Sequence, residues 1–161
     1  MFEREIEEAV EIVASPSEVW WQLTNFAAYP EWNPFITRIE GDLRECARLT
    51  VTLQPRSMPS FVIRPRLIRV EPERELRWRG RLGLPGVFDG EHAFIIESTG
   101  VDRLRFTQRE HFSGLLAFGA LGLIEGRLRA SFQQMNEKLR QRSEAAHATR
   151  EAARAQRQAR Q

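Results

Sequence analysis

The chain has 161 residues, a hydrophobic fraction of 42% and a formal net charge of +2, which suit one domain with one core. The N-terminus lacks the apolar stretch of a signal peptide, and the longest apolar run, residues 115–124, is too short to cross a bilayer. The single cysteine, Cys46, excludes an intrachain disulfide and a cysteine-based metal site. We therefore expect a cytoplasmic protein without stable membrane insertion, in which Cys46 is inert rather than reactive.

The first predicted elements are a strand and a helical hairpin. Over residues 2–14 apolar side chains hold most even positions and glutamates most odd ones, which predicts a strand with one buried face. Ser15 can cap a helix and Pro16 suits its first position, so a helix is expected over 16–24. A second short helix or turn over 26–32 should end near Asn33, because Asn33 precedes a proline.

Short strands then follow one another, as in an antiparallel meander. Four segments are strand-like, namely residues 35–40, 48–54, 61–70 and 75–81. Pro65 inside the third indicates a bulge or an unpaired position. In the fourth, Trp78 faces inward and arginines face outward. Interspersed glutamates and the lack of an aromatic platform favour a solvated surface over nucleic-acid binding. The loops 54–60 and 82–88 could act as lids.

The sequence is most informative over residues 87–112, which predict two strands joined by a turn at 97–102. One face of this hairpin carries His92, Phe94, Ile96, Leu104, Phe106, Gln108 and Glu110, because side chains alternate with period 2. If Ile96 pairs with Leu104, then Phe94 lies opposite Phe106, His92 opposite Gln108, and Glu110 one pair further along. A face that begins apolar and ends polar is typical of a pocket wall.

After residue 112 the apolar period changes to that of a helix. The apolar stripe comprises Leu121, Ile124, Leu128, Phe132, Met135 and Leu139. From residue 140 onward six arginines and two glutamates give +4, which leaves −2 for residues 1–139. We therefore assign residues 1–142 to the folded domain and 143–161 to a basic tail, either a helical extension or disordered. Deleting this tail is expected to leave the melting temperature nearly unchanged.

Several segments resemble the START-like (SRPBCC) superfamily. They are IVASPSEVW at 12–20, LTNF at 23–26, YPEWNPF at 29–35, LRWRG at 76–80, GEHAF at 90–94 and TQREHFSG at 107–114. The last three are similar to its polyketide cyclase/dehydrase-like bacterial branch. The resemblance covers residues 2 to about 142. It implies an α+β helix-grip fold, in which a curved antiparallel sheet wraps around a long C-terminal helix, two short helices follow the first strand, and an apolar cavity lies inside.

Three polar residues are the sharpest candidates for the cavity. His92 is either a hydrogen-bonded imidazole that stabilises the pocket or a ligand donor and general acid or base. Glu110 either pairs with His92 or with an arginine of the helix, or it carries protons. Gln108 offers a donor and an acceptor that could orient a carbonyl or hydroxyl. His111 is out of phase and should face outward.

The remaining site candidates are mostly apolar. Each is either plain core or a contact for a ligand: Phe61, Ile63, Trp78, Phe88, Phe94, Phe106 and Leu128. Asn33 either turns the chain or lines the mouth of the cavity.

The resemblance implies that the domain binds a small hydrophobic molecule that is lipid-, quinone- or polyketide-like. One alternative is a cyclase/dehydratase-type enzyme that uses Glu110 or His92 as the proton carrier. The other alternative is a partner-binding module that acts through the tail. No cofactor and no metal site are expected, since the three histidines do not have the spacing of metal ligands. The sequence leaves open whether the chain forms a homodimer.

Overall fold

A computed structural model describes residues 3–81, 89–114 and 117–160, and for residues 117–121 it describes the backbone only. The strands within these residues are β1 Glu3–Ile12, β2 Ile36–Glu40, β3 Thr50–Leu53, β4 Phe61–Ile63, β5 Arg66–Glu71, β6 Glu75–Arg81, β7 Asp89–Gly100 and β8 Arg103–Ser113. The helices are α1 Pro16–Thr24, α2 Tyr29–Trp32 and α3 Ala117–Gln158, with a 3₁₀ turn at Phe26–Ala28.

The strands form two antiparallel sheets. Five strands pair in the order β1-β8-β7-β6-β5, and three pair in the order β2-β3-β4. The chain passes from one sheet to the other at Pro65, so the single strand predicted over 61–70 is two strands in different sheets. The Pro65 carbonyl accepts a hydrogen bond from the amide of Leu49 at 2.8 Å, which joins the two sheets. The predicted α+β helix-grip architecture is confirmed.

The helical hairpin forms as predicted, because its ends are satisfied locally. The Ser15 hydroxyl accepts a hydrogen bond from the Glu18 amide at 3.2 Å, and Pro16 occupies the first turn. The Tyr29 hydroxyl donates to the Leu23 carbonyl at 2.6 Å, which fixes α2 against the end of α1. Tyr29 is fully buried, and this burial raises the pKa of its phenol.

Helix α3 packs its apolar stripe on the five-stranded sheet. Leu128, Phe132, Met135 and Leu139 are all buried, in agreement with the predicted period. Ile124 is half-buried, and the side chain of Leu121 lies outside the described residues. Each fully buried side chain of this size stabilises the fold by about 1.5–3 kcal/mol, so the stripe provides the main attachment of the helix. None of the helices described here combines the length and apolarity needed to cross a membrane.

The register of the β7–β8 hairpin differs from the predicted one by two residues. His92 lies opposite Glu110, Phe94 opposite Gln108 and Ile96 opposite Phe106. The prediction was wrong because the turn is tighter than expected: the strands continue to Gly100 and Arg103, and Asp102 adopts a positive φ of 49°. A shift of two residues keeps every side chain on its predicted face, so only the pairing changes.

Helix α3 continues without a break through the segment called the tail, to Gln158. The first two turns of the tail contact the rest of the domain. Ser143 is fully buried, a Glu144 carboxylate oxygen accepts from the Val13 amide at 3.0 Å, and Arg150 forms an ion pair with the buried Glu18 at 2.7 Å. These contacts lie beyond the boundary drawn at residue 142. We therefore propose that the packed unit extends to about residue 150.

Two truncations test this boundary. Removing residues 143–161 deletes all three contacts and leaves the Glu18 carboxylate without its guanidinium. In place of the nearly unchanged melting temperature expected from the sequence, the structure predicts a fall in Tm of about 4 °C or more. Removing only residues 151–161, which are exposed where described, should leave Tm within about 1 °C of the full chain. The measurement is thermal unfolding followed by circular dichroism. Equal Tm values for the two truncations would contradict the proposed boundary.

Candidate functional site

A cavity of about 140 Å³ lies between the inner face of the five-stranded sheet, helix α3 and the loop before β4. Its lining is mostly apolar. The residues that line it are Phe35, Ile36, Leu53, Pro55, Met58, Phe61, Ile63, Trp78, Gly80, Arg81, Gly90, His92, Glu110, Phe112, Ile124, Leu128 and Phe132. Among these, only Arg81, His92 and Glu110 carry polar side chains. The cavity can therefore hold an apolar body and offers it few polar contacts.

Five of the ten predicted site residues line this cavity, and they are His92, Glu110, Trp78, Phe61 and Leu128. Ile63, the further wall candidate, lines it as well. Four others do not: Phe94, Phe106 and Gln108 are fully buried in the core, and Asn33 lies elsewhere. Phe88 is outside the described residues. Of the three polar candidates on the hairpin, the structure places His92 and Glu110 at the cavity.

His92 and Glu110 form a direct pair. They are cross-strand neighbours, and His92 Nδ1 lies 2.5 Å from Glu110 Oε2. The His92 side chain is only 4% exposed and the Glu110 side chain 14%, so the hydrogen bond is shielded from solvent. The second ring nitrogen, Nε2, is buried and has no hydrogen-bond partner among the described residues. One imidazole nitrogen is therefore held and the other is unsatisfied.

Aromatic rings fix the plane of the His92 imidazole. The Trp78 indole stacks on it at a centroid distance of 5.5 Å and an interplanar angle of 28°. Phe94 contacts it at 4.4 Å, and Phe132 of α3 meets it edge-on at 5.2 Å. Rings packed in these geometries leave the imidazole little freedom to rotate. The position of Nε2 is thus set by core packing as well as by the bond to Glu110.

Gln108 joins the sheet to the helix rather than facing the cavity. Its Nε2 donates to the Asn136 side chain at 2.7 Å and to the Phe132 carbonyl at 3.2 Å. Asn136 in turn donates to the Glu8 carbonyl at 3.1 Å. The predicted role of orienting a ligand does not fit this placement, because helix α3 covers the row of the sheet that contains Gln108 and Phe94. The Asn33 side-chain oxygen accepts from the amides of Phe35 and Ile36, which is the turn role considered for it.

Two glycines flatten the floor of the cavity beside the polar pair. Gly80 and Gly90 are cross-strand partners, two residues along the strands from Trp78 and His92 and therefore on the same face. A Cβ atom at Gly90 would lie 2.7 Å from Glu110 Oε1, whereas one at Gly80 would meet only Pro65, at 3.7 Å. The missing side chain at Gly90 therefore leaves the space that the Glu110 carboxylate occupies. From the sequence alone, Gly80 and Gly90 are glycines within predicted strands. Close approach of another group to the backbone is one common reason for glycine at such positions.

The loop over residues 54–60 closes one side of the cavity through Pro55 and Met58. The Arg56 amide donates to the Ser131 hydroxyl of α3 at 2.9 Å, and that hydroxyl donates to the Arg127 carbonyl at 2.7 Å. This loop was predicted to be a lid. The Ser131 bond fastens it to the helix that forms the opposite wall.

The outer face of the sheet carries the predicted arginine rows, and most of these arginines pair with acidic side chains. Glu91 accepts hydrogen bonds from Arg77 and Arg79, while Arg105 and Arg109 pair with Glu11 and Glu7. Partial burial alone would raise the pKa of the Glu91 carboxyl, but the bonds from Arg79 and Arg77 outweigh it and hold this pKa below its usual range. Within the described residues no group of three or more histidine, cysteine or acidic side chains could hold a metal ion.

The profile of one protein family, described as polyketide cyclase/dehydrase and lipid transport, matches residues 3–144. The chain belongs to this family. No curated protein matches its sequence. The match begins with β1 and ends two residues beyond residue 142, so it includes all the described strands and most of the packed part of α3.

Solved structures of similar fold are numerous. The Zhui aromatase/cyclase from Streptomyces sp. R1128 has a TM-score of 0.73 at 14% identity, with 89% of this chain and 94% of that chain covered. Protein jhp0584 from Helicobacter pylori has a TM-score of 0.71 at 18% identity, with 87% and 88% covered. A norcoclaurine synthase variant from Thalictrum flavum has a TM-score of 0.66 at 15% identity, with 88% and 94% covered. At these identities the similarity shows the fold of this family member.

The cavity residues that sequence reasoning missed come mainly from segments far from the hairpin. Phe35 lines it from the residue before β2, and Ile36, Leu53 and Phe132 line it from β2, β3 and α3. Each was recognised as part of a strand or of the helical stripe. The period of a segment shows which face is buried, but it does not show whether that face meets core or cavity.

A pair of glycine substitutions tests the arrangement around Glu110. Gly90→Ala should displace the Glu110 carboxylate from His92 and lower Tm by about 3–6 °C, because a shielded charge-assisted hydrogen bond is lost. Gly80→Ala, at the cross-strand position without such a contact, should leave Tm unchanged or slightly higher. Thermal unfolding and the NMR shifts of the His92 ring report the two effects. If both variants shift the His92 ring equally, Gly90 does not make room for Glu110 as described.

Proposed function

We propose that this domain binds a small hydrophobic molecule in its interior cavity. One observation carries the proposal: an apolar space of about 140 Å³ that contains a buried His92–Glu110 pair. An engineered apolar cavity of about 150 Å³ stays dry and binds benzene, so a space of this size is large enough for a ring-sized apolar body. Binding would gain about 25 cal/mol for each Å² of apolar surface that leaves water.

The family description and the fold of the neighbours support this proposal. The family includes lipid transport by its description, and the Zhui neighbour is named an aromatase/cyclase. Lipid-, quinone- and polyketide-like molecules share a largely apolar body with few polar groups. That composition matches the lining, in which three polar side chains stand among apolar ones.

A matched pair of tryptophan substitutions tests the cavity as the binding site. Ile63→Trp places a large ring in the cavity and should abolish binding of p-xylene, measured by saturation-transfer NMR. Val62→Trp alters the neighbouring residue of the same strand, which is 47% exposed and is not part of the lining, and should bind p-xylene like the unmodified protein. Unchanged binding in a folded Ile63→Trp protein would show that the cavity is not the site.

A second candidate is a cyclase/dehydratase-type enzyme, which the geometry of the polar pair supports. An imidazole held at Nδ1 by a carboxylate, with Nε2 unsatisfied and buried, has the arrangement of a general base with an orienting group. In this candidate His92 would carry the proton and Glu110 would position the ring. The proton would pass from a carbon next to a ligand carbonyl to Nε2, and then to the product.

Deuterium exchange separates the enzyme from the binding module. If His92 is a general base, the protein should accelerate deuterium incorporation in D₂O at the acetyl methyl group of 4-methylacetophenone, which is the methyl group next to the carbonyl. Glu110→Gln should then reduce the rate about 10- to 100-fold, since general base catalysis contributes about 10²–10⁴. His111→Gln, which changes a histidine on the outer face of the same strand, is the control. No acceleration by a protein that binds this ketone would favour the binding module.

A further inference from the structure

The unsatisfied His92 Nε2 sets a requirement on whatever fills the cavity. A buried nitrogen without a hydrogen bond destabilises the fold, because it has lost its contact with water and gained nothing in return, so such groups are rare in folded proteins. Residues 82–88 and 115–116, which the structure does not describe, are all apolar or glycine. No side chain of these residues can therefore form a hydrogen bond with Nε2. A ligand in the cavity is one source of the partner that Nε2 lacks among the described residues.

The hydrogen bond between His92 and Glu110 determines whether Nε2 is a hydrogen-bond donor or an acceptor. An ionised carboxylate has no hydrogen to give, so with Glu110 ionised the hydrogen in the 2.5 Å contact belongs to Nδ1. In the neutral imidazole Nε2 then presents a lone pair and can only accept. A ligand hydroxyl would satisfy it. A ligand carbonyl oxygen has no hydrogen to donate, so its lone pair would face the lone pair of Nε2. A ligand carboxylate would also place a second negative charge beside Glu110.

The floor of the cavity indicates the shape of the ligand. The Gly80–Gly90 pair removes two side chains from the inner face, next to the stacked Trp78 and His92 rings. A flat ring can lie against the backbone there with its edge toward His92. The flexible arm of Glu110 occupies the space over Gly90, which places the open part of the floor over Gly80.

We propose that the cavity selects a hydroxyl-bearing molecule with a ring-sized apolar body, whose hydroxyl donates to His92 Nε2 while Glu110 holds the imidazole. The inference rests on the proposed binding function and adds the chemistry of the ligand's polar end. His92 is the residue that contacts the ligand, and Glu110 is a positioning residue that acts through it. Gly80 provides the space for the ring.

A series of ligands of nearly equal shape tests this selectivity. The dissociation constants of p-cresol, p-xylene, 4-methylbenzaldehyde and 4-methylbenzoate are measured by NMR titration of the full chain. We expect p-cresol to bind about fivefold or more tightly than p-xylene, because one neutral hydrogen bond contributes about 1 kcal/mol. The aldehyde and the benzoate should bind no more tightly than p-xylene.

Two variants connect the selectivity to the polar pair. His92→Phe keeps a ring but removes both nitrogens, and should bring p-cresol and p-xylene to equal affinity. Glu110→Gln keeps the size of the side chain but lets either imidazole nitrogen carry the hydrogen. It should therefore narrow the difference between the dissociation constants of p-cresol and 4-methylbenzaldehyde. His111→Phe is the control and should keep the full preference. Binding of p-xylene by each variant shows that its cavity is intact.

The outcomes separate this inference from the function on which it rests. If none of the four ligands binds, the proposed function fails. If p-xylene binds and p-cresol is no tighter, or if the aldehyde binds most tightly, the hydroxyl selectivity is wrong and the binding function stands. If His92→Phe does not fold, Glu110→Gln decides: an unchanged preference for p-cresol over the aldehyde overturns the role given to the pair.

Discussion

The packing of Phe132 against the inner face of the sheet is the contact on which the rest of the site depends. Its ring lies 5.5 Å from that of Phe35 and 5.2 Å from His92, and its carbonyl accepts a hydrogen bond from Gln108. One residue of α3 thus contacts the smaller sheet, the polar pair and the deeper core. The cavity exists where this packing ends, because the next row of the five-stranded sheet carries Gly80 and Gly90 in place of side chains.

The sequence was sufficient for the faces of the strands but not for their pairing. His92 and Glu110 were placed on one inward face from period 2 alone, and they lie there. Their direct contact was not predicted, because a shift of two residues preserves both faces and only the turn distinguishes the two registers. That turn depends on a positive φ at Asp102, which a single sequence does not reveal.

The separation of Gln108 from the cavity has a similar cause. In sequence Gln108 and Glu110 are equivalent, two polar residues on one face of one strand. In the structure their environments differ, because Asn136 of α3 reaches the row of Gln108 and satisfies its amide nitrogen, whereas Glu110 lies one row nearer the glycine pair. Which row a helix covers depends on how far it extends along the sheet, and this is a property of tertiary packing rather than of local pattern.

The Ser131 bond to the loop over residues 54–60 has a consequence for how the structure can open locally. Among the described residues, one hydrogen bond from the Arg56 amide joins the loop to α3, and the core contacts of the helix lie on neighbouring residues that do not take part in it. Breaking that bond costs about 1 kcal/mol, far less than global unfolding. A local opening of this loop at the Ser131 bond therefore requires far less free energy than global unfolding, and it leaves the sheet and the helix in place.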